Sequence, residues 1–440
     1  MFWIAFAVVL AAMFIGARRG GIFLGMAEGM GLAVLVFGLK LPPSSPPIDV
    51  MLIIMAVITA AATLQSAGGM DYLVQTAERI LRKNPNRITF MAPIVAYCFT
   101  LMSGTGNVVY SILPVIAEVA HDAGVRPERP MSISVIASQQ AITASPISAA
   151  MAAMVALLAP FNISMLTIMS ICIPATLCGV FLGSVYCSRV GVELKDDPEY
   201  QRRLAEGMIT LKKNIAETAH VEATPEAKRS VWIFLTGAIL VVLFGTIPSL
   251  RPDFMIAGKV SKLSMPHTIE MVMLVIAAIM VLTCKANVEK IVSGSVFRQG
   301  MMGVIGIFGL AWMGDTLINN NMAFIKDNVQ EIVKAYPWVF ALALFSVGAL
   351  IMSQAATTRA LVPLGIALGL SPVALVATWP AVNSYFFFPN YATVIAGIAF
   401  DMTGTTRIGK YVLNHSFMMP GLIACVTSVT VGFLIAGILI

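Results

Sequence analysis

The sequence predicts an all-α integral membrane protein, an inverted repeat with two re-entrant helical hairpins and proline-broken transmembrane helices. Three observations carry that expectation. The 440 residues are 58% hydrophobic and 11% charged, with a mean hydropathy of +0.87, whereas a soluble domain carries about 25% charged residues. Apolar runs of membrane-spanning length recur along the chain. Two short polar strings, Ser103-Gly104-Thr105-Gly106-Asn107 and Ser353-Gln354-Ala355-Ala356-Thr357-Thr358, interrupt apolar sequence at corresponding places.

Taken in order, the opening run from Phe2 to Ala17 ends in Arg18-Arg19 without a small-residue cleavage site, so it reads as a first span rather than a leader. Further spans are expected near 21–39, 50–67, 131–158, 163–188, 230–248, 268–284, 301–318, 372–400 and 416–440. Each polar string follows an apolar stretch that opens just after Asn84-Pro85 or Tyr336-Pro337, and precedes a second one containing Leu113-Pro114 or Val362-Pro363. Two half-length helices meeting at a polar tip make a re-entrant hairpin, here about 87–121 and 337–371. Lipid cannot satisfy the backbone groups freed at such a tip, so it must be buried in protein or face a watery cavity.

The chain then divides into N-terminal spans (1–49), a first repeat (50–190), a hydrophilic linker (191–229), a connecting span and outer loop (230–267) and a second repeat (268–440). Each repeat runs span, amphipathic stretch (Met70–Lys83; Asn320–Ala335), hairpin, and long span broken at proline. The breaks are Thr143-Ala144-Ser145-Pro146 and Phe388-Pro389-Asn390-Tyr391. The linker balances eight basic residues, counting Arg189, against eight acidic ones, and reads as solvated with a short helix near 198–216. Placing Arg18-Arg19 on the cytoplasmic side puts 21 of the 28 basic residues there, as the positive-inside bias requires. Both termini then face outward, and the two hairpins open from opposite sides.

Paired hairpins in inverted repeats point to a secondary transporter with its substrate between the tips. Helix amino termini at mid-membrane suit an anion, because their N–H groups are free and their dipole ends positive. Ser103, Thr105, Ser353, Thr357 and Thr358 add hydroxyls, Asn107 and Gln354 add amides, and Gly104 and Gly106 admit close backbone approach. Thr143, Ser145, Pro146 and Ser148, with Asn383, Ser384, Pro389, Asn390 and Thr393, form a second polar layer. Two such nests match a small molecule with a carboxylate at each end. An isolated proline is ordinarily a kink; two at matching places flanked by polar residues point to a site.

Among charged residues, Arg126 and Arg359 are candidates for attracting or gating an anion, against the plainer readings of positive-inside bias and snorkelling. Glu28 and Asp315 lie within apolar spans and are candidate proton carriers, the alternative being a pair with a neighbouring helix end. Glu78 and Arg82, four apart, are expected to pair along a helix face. The six cysteines and four histidines follow no ligand spacing, so no metal or cofactor is expected. A net charge of +6 is ordinary for membrane loops and does not imply nucleic acid. An intramembrane enzyme would need a nucleophile beside a base, and no His or carboxylate pair lies near the tips. A cation/proton antiporter would place acidic pairs at the broken helices, where Ser, Thr and Asn stand instead.

The strings Arg18-Arg19-Gly20-Gly21, Met102 to Asn107, Leu113-Pro114-Val115-Ile116, Arg126 to Pro130, Ala144-Ser145-Pro146, Ser353 to Ala356, Gly404 to Lys410 and Asn414-His415 closely resemble the Dcu family of bacterial anaerobic C4-dicarboxylate carriers. The resemblance covers essentially the whole chain. It implies an inner-membrane carrier exchanging fumarate, malate or aspartate for succinate, and membership of the wider ion-transporter group with an elevator-type motion. It also implies a homodimer and, for some members, a membrane sensor kinase as partner. That group's tips carry Ser-Asn-Thr; S-G-T-G-N and S-Q-A-A-T-T depart from it, so coupling to sodium or protons stays open. So does a coupled carrier of another organic anion.

Overall fold

A computed structural model describes residues 2–19, 22–209, 223–256, 259–389, 391–411 and 413–440. Asn390, Gly20, Gly21 and the linker stretch 210–222 lie outside the described residues. Apart from a two-stranded antiparallel ribbon, Asp253–Ile256 with Lys259–Lys262, the regular structure is helical. The ribbon lies between Pro225–Thr246 and Met265–Thr283, where no strand was expected.

Most expected spans form helices within a few residues of their predicted ends: Phe2–Arg19, Phe23–Ala33 with a terminal π turn Val34–Gly38, Ile48–Ser66, Met165–Cys187, Pro225–Thr246, Met265–Thr283, Ser295–Asn320 and Met418–Leu439. Among the described residues, five unbroken helices are long and apolar enough to cross a membrane. Ile48–Ser66 continues through a left-handed Gly68 into the amphipathic helix Gly69–Lys83, the two axes bending by 71°. Side-chain oxygens of Ser148, Ser164, Thr224, Ser264, Asn287 and Ser371 each accept a first-turn N–H and so set where their helices begin.

Glycine permits the closest crossings. A Cβ on Gly309 would sit 2.2 Å from the Gly25 carbonyl oxygen, so Ser295–Asn320 and Phe23–Ala33 touch backbone to backbone. Gly179 meets the Ala424 carbonyl in the same way where Met165–Cys187 packs on Met418–Leu439.

The hairpins are Ile88–Ser103 with Val109–Asp122, and Val339–Ile351 with Gln354–Ala367. The proline-broken spans are Glu128–Gln140 with Ala149–Leu158, and Pro372–Thr378 with Ala392–Phe400. The first break covers 141–148, as the sequence places it. The second is wider than the Phe388 to Tyr391 string: helix ends in a 3-10 turn at Trp379–Val382 and resumes only at Ala392. The two halves interleave. Gln354–Ala367 packs on Ala149–Leu158, and Ala392–Phe400 packs on Val109–Asp122 and Glu128–Gln140. Matching bonds tie each break to its own hairpin: Ser145 Oγ donates to Leu101 O and Ser384 Oγ to Phe345 O, both at 2.7 Å.

The linker's first stretch is docked rather than solvated. Leu194 and Asp197 are buried, and Asp197 caps the short helix Pro198–Ala205. Arg126, a candidate for attracting or gating an anion, is itself only 3% exposed, with its guanidinium donating to Glu128 Oε2 (2.7 Å) and to Asp197 Oδ2. Arg129 holds the same stretch through Val190 O and Glu193.

Candidate functional site

The two hairpin tips share one local geometry. At the first, helix ends at Ser103, Gly104 turns left-handed (φ +70°), Thr105 is extended and its Oγ1 accepts the Asn107 N–H at 3.3 Å. At the second, helix ends at Ile351, Met352 turns left-handed (φ +55°), Ser353 is extended and its Oγ accepts the Ala356 N–H at 3.3 Å. The equivalent residues are therefore Thr105 and Ser353, not the two serines that open the polar strings. The returning helices start at Gly106 and Gln354, one residue after each cap. The Ser353 cap leaves Thr357 and Thr358 of the second polar string inside a helix.

Both tips open on one chamber of about 650 Å³, whose wall includes Gly104, Thr105, Gly106 and Asn107 on one side and Ser353 and Gln354 on the other. A side pocket of about 170 Å³ reaches Ser103. Gly303 and Gly306 of Ser295–Asn320 form a wall where an added Cβ would meet nothing within 4 Å. Among the described residues no protein group takes the N–H of Gly106 or Ala355, nor the side-chain amide of Asn107. Each tip thus presents an uncommitted backbone donor at a helix start, the arrangement that favours an anion. Arg19 is the one charged residue on the described wall, exposed and lying over the Phe23 ring.

A family model described as "Anaerobic c4-dicarboxylate membrane transporter" matches residues 1–440. The chain belongs to this DcuA/DcuB family. It is 45% identical over 98% of its length to the C4-dicarboxylate transporter DcuA of Wolinella succinogenes, covering 98% of that protein. It is 43% identical to DcuA of Escherichia coli K12, again over 98% of each chain. It is 40% identical to the anaerobic C4-dicarboxylate transporter DcuB of Escherichia coli O6:H1, over 99% of this chain and 98% of that one. Among solved structures it resembles MtrF of Neisseria gonorrhoeae, described with a class of antimetabolite efflux pumps, at a TM-score of 0.58 and 14% identity, covering 98% of this chain and 94% of that one. That likeness supports the fold alone. The chain is accordingly a multi-pass dicarboxylate transporter and not an enzyme.

Within this family member the second polar layer lies behind the chamber rather than on it. Gln354 Nε2 donates to Gln139 Oε1 (3.2 Å) and Asn383 Oδ1 (3.1 Å). Asn383 Nδ2 donates to Gln140 Oε1 (3.3 Å) and Thr143 Oγ1 (3.1 Å), and Gln139 Nε2 to Thr393 Oγ1 (3.2 Å). This buried network joins the two broken spans and the second hairpin, with Thr143 and Thr393 bonded inside it. Ser145, Pro146 and Pro389 are buried at the breaks and off the chamber wall. Thr357 and Thr358 bond back to Ser353 O and Gln354 O, and Trp379 Nε1 donates to Thr358 Oγ1 at 2.8 Å. A buried polar set bonded this fully holds one geometry.

The charged candidates separate. Arg359 faces Asp315 across 3.8 Å, linking the second hairpin to Ser295–Asn320. Glu28 is fully buried on Phe23–Ala33, and neither carboxyl oxygen has a hydrogen-bond partner among the described residues. Glu78 pairs with Arg82 as its spacing predicts, and Arg82 reaches on to Glu118 of the first hairpin. Sequence reasoning missed Gln139 and Gln140, two adjacent amides in an apolar span, and the wall tyrosines Tyr110, Tyr385 and Tyr391.

Proposed function

We propose that the chain exchanges C4-dicarboxylates, taking up fumarate, malate or aspartate against succinate across the bacterial inner membrane, with both termini periplasmic. Each carboxylate is held at one hairpin tip by uncommitted N–H groups and neutral side chains. The supporting observation is the shared chamber: two equivalent helix starts, from two hairpins in two halves of like element order, face one space. The interleaved packing of hairpins and broken spans fits an inverted repeat that moves as one body, in an elevator-type alternation. Ser103, Gly104, Thr105, Gly106, Asn107, Ser353 and the Ala355 N–H are the substrate-contacting set in this reading, with Gln354 behind them, its donors spent on Tyr385, Gln139 and Asn383. Thr143, Ser145, Thr357, Thr358 and Thr393 hold that set in place.

The deciding experiment is counterflow. Proteoliposomes preloaded with succinate should take up labelled fumarate, and unlabelled malate or aspartate should compete; absence of exchange under every ion gradient would sink the substrate class. In the same assay Asn107→Ala should raise KM roughly tenfold, the effect of one lost bond to a charged ligand. Lys334→Ala, on the exposed amphipathic helix, should leave KM unchanged. Equal effects would remove the tip site. Coupling is read from imposed gradients. A buried charge without a partner is costly, so Glu28 is our candidate for proton coupling, and Glu28→Gln should flatten the dependence of uptake on a pH gradient. Unchanged dependence would exclude it.

A further inference from the structure

The chamber wall carries three phenols that lie outside the two tip motifs. Tyr385 follows Ser384 in the second break, Tyr391 ends that break, and Tyr110 stands one turn into the returning helix of the first hairpin. Tyr385 is 2% exposed, and its oxygen accepts the Gln354 N–H at 2.6 Å. This is the first amide of the second hairpin's returning helix. A phenol has one proton to give as well as lone pairs to receive. The oxygen is engaged as acceptor, and among the described residues nothing accepts the proton. The Tyr391 ring lies 4.6 Å away, tilted by 52°, and neither its hydroxyl nor that of Tyr110 bonds to a described residue. Tyr110 and Tyr391 are half-buried, but Tyr385 is buried, and a buried hydroxyl donor is ordinarily satisfied, so its unspent proton on this wall marks where an acceptor docks.

We propose that Tyr385, with Tyr391 and Tyr110 beside it, donates directly to a carboxylate of the transported dianion and sets the preference for that group over its neutral counterparts. The inference rests on the dicarboxylate reading above and names further ligand-contacting residues for it. The Gln354 N–H polarises the Tyr385 hydroxyl, which passes the positive end of the helix one bond further into the chamber. The ligand thus meets an O–H donor in front of the helix start, where the bare amide sits one layer deeper. A neutral donor serves a carrier well, because it binds a dianion without a fixed cation that would hold it too tightly to release.

The test is the affinity of the purified full-length protein for succinate and for succinamate, in which one carboxylate is a neutral amide. Tyr385→Phe keeps the ring and removes the hydroxyl. It should weaken succinate binding about 10- to 100-fold, the range for a bond to a charged group. Succinamate should weaken far less, so that the preference for the diacid collapses. A general loosening of the tip would lower both affinities by the same factor. Wild-type affinity for succinate in Tyr385→Phe, or equal losses for both ligands, overturns the proposal. Should Tyr385→Phe not fold, Tyr391→Phe carries the same expectation and the same refutation. A wild-type protein that binds no succinate overturns instead the dicarboxylate reading, and this inference falls with it.

Discussion

Gly104→Ala is expected to abolish uptake while Gly303→Ala, on the facing wall, leaves most of it. Gly104 sits at φ +70°, where a side chain costs about 1–2 kcal/mol. The added methyl would also lie 2.7 Å from the Ile147 carbonyl oxygen and 3.0 Å from its carbon. That obstacle is backbone of the first break, fixed nearby by Ser145 to Leu101 O and by Ser148 to Ile142 O. It cannot rotate aside as a side-chain end can, and overpacking of this kind costs about 1–3 kcal/mol. Together roughly 2–5 kcal/mol must be relieved by parting the tip from the break, which disperses the donors around Gly106 and Asn107. Gly106→Ala makes a graded comparison, since Gly106 is not left-handed and its methyl would press on two side-chain ends, the Gln139 amide and Ile142 Cδ1, both at 3.2 Å, rather than on backbone. Uptake normalised to membrane abundance should rank Gly303→Ala above Gly106→Ala above Gly104→Ala. Near-normal uptake by Gly104→Ala would mean that the tip need not seat against the break.

What made the hairpins readable is that their chemistry is local. A half-length apolar run, a polar string and a second run with proline are one feature of contiguous sequence, and the helices begin and end within a few residues of their predicted bounds. The second tip was harder, because nothing in Ile351-Met352-Ser353 announces a left-handed residue; methionine rarely takes that conformation, and only the extended Ser353 cap after it reveals the start of the helix. Long-range features were not readable. Gln139 meets Gln354 across 215 residues of chain, and Gln140 meets Asn383 across 243. Each amide taken alone is an unremarked polar residue in an apolar span. Tyr385 is likewise invisible until folding brings its oxygen to the Gln354 amide. The polar character of the broken spans is plain in the sequence, but which of their hydroxyls face the chamber depends on packing between the halves.

The docked linker yields the second large effect. Arg126→Ala should destabilise the protein by about 3–5 kcal/mol, because it strands two buried carboxylates that now share one guanidinium. Glu128 is otherwise held by Ser416 Oγ (2.6 Å), and Asp197 by the N–H groups of Glu199 and Tyr200 (3.0 Å each). Neutral donors cannot offset the repulsion between two charges brought so close. Burial pushes the Asp197 carboxyl up, but the Tyr200 N–H, the Arg126 guanidinium and the Glu199 N–H outweigh it and hold it below its ordinary value. A carboxyl lowered on folding stabilises above its unfolded value, near 3.8 for Asp, and that contribution fades as pH falls through the folded one. The gap in melting temperature between wild type and Arg126→Ala should therefore be full at pH 7 and narrow below about pH 4. Residues 193–206 should become sensitive to protease in the variant at neutral pH, while Arg202→Ala, whose ion pairs are exposed, should change neither readout. Identical melting of Arg126→Ala and wild type at pH 7 would show that the segment docks without contributing to the fold.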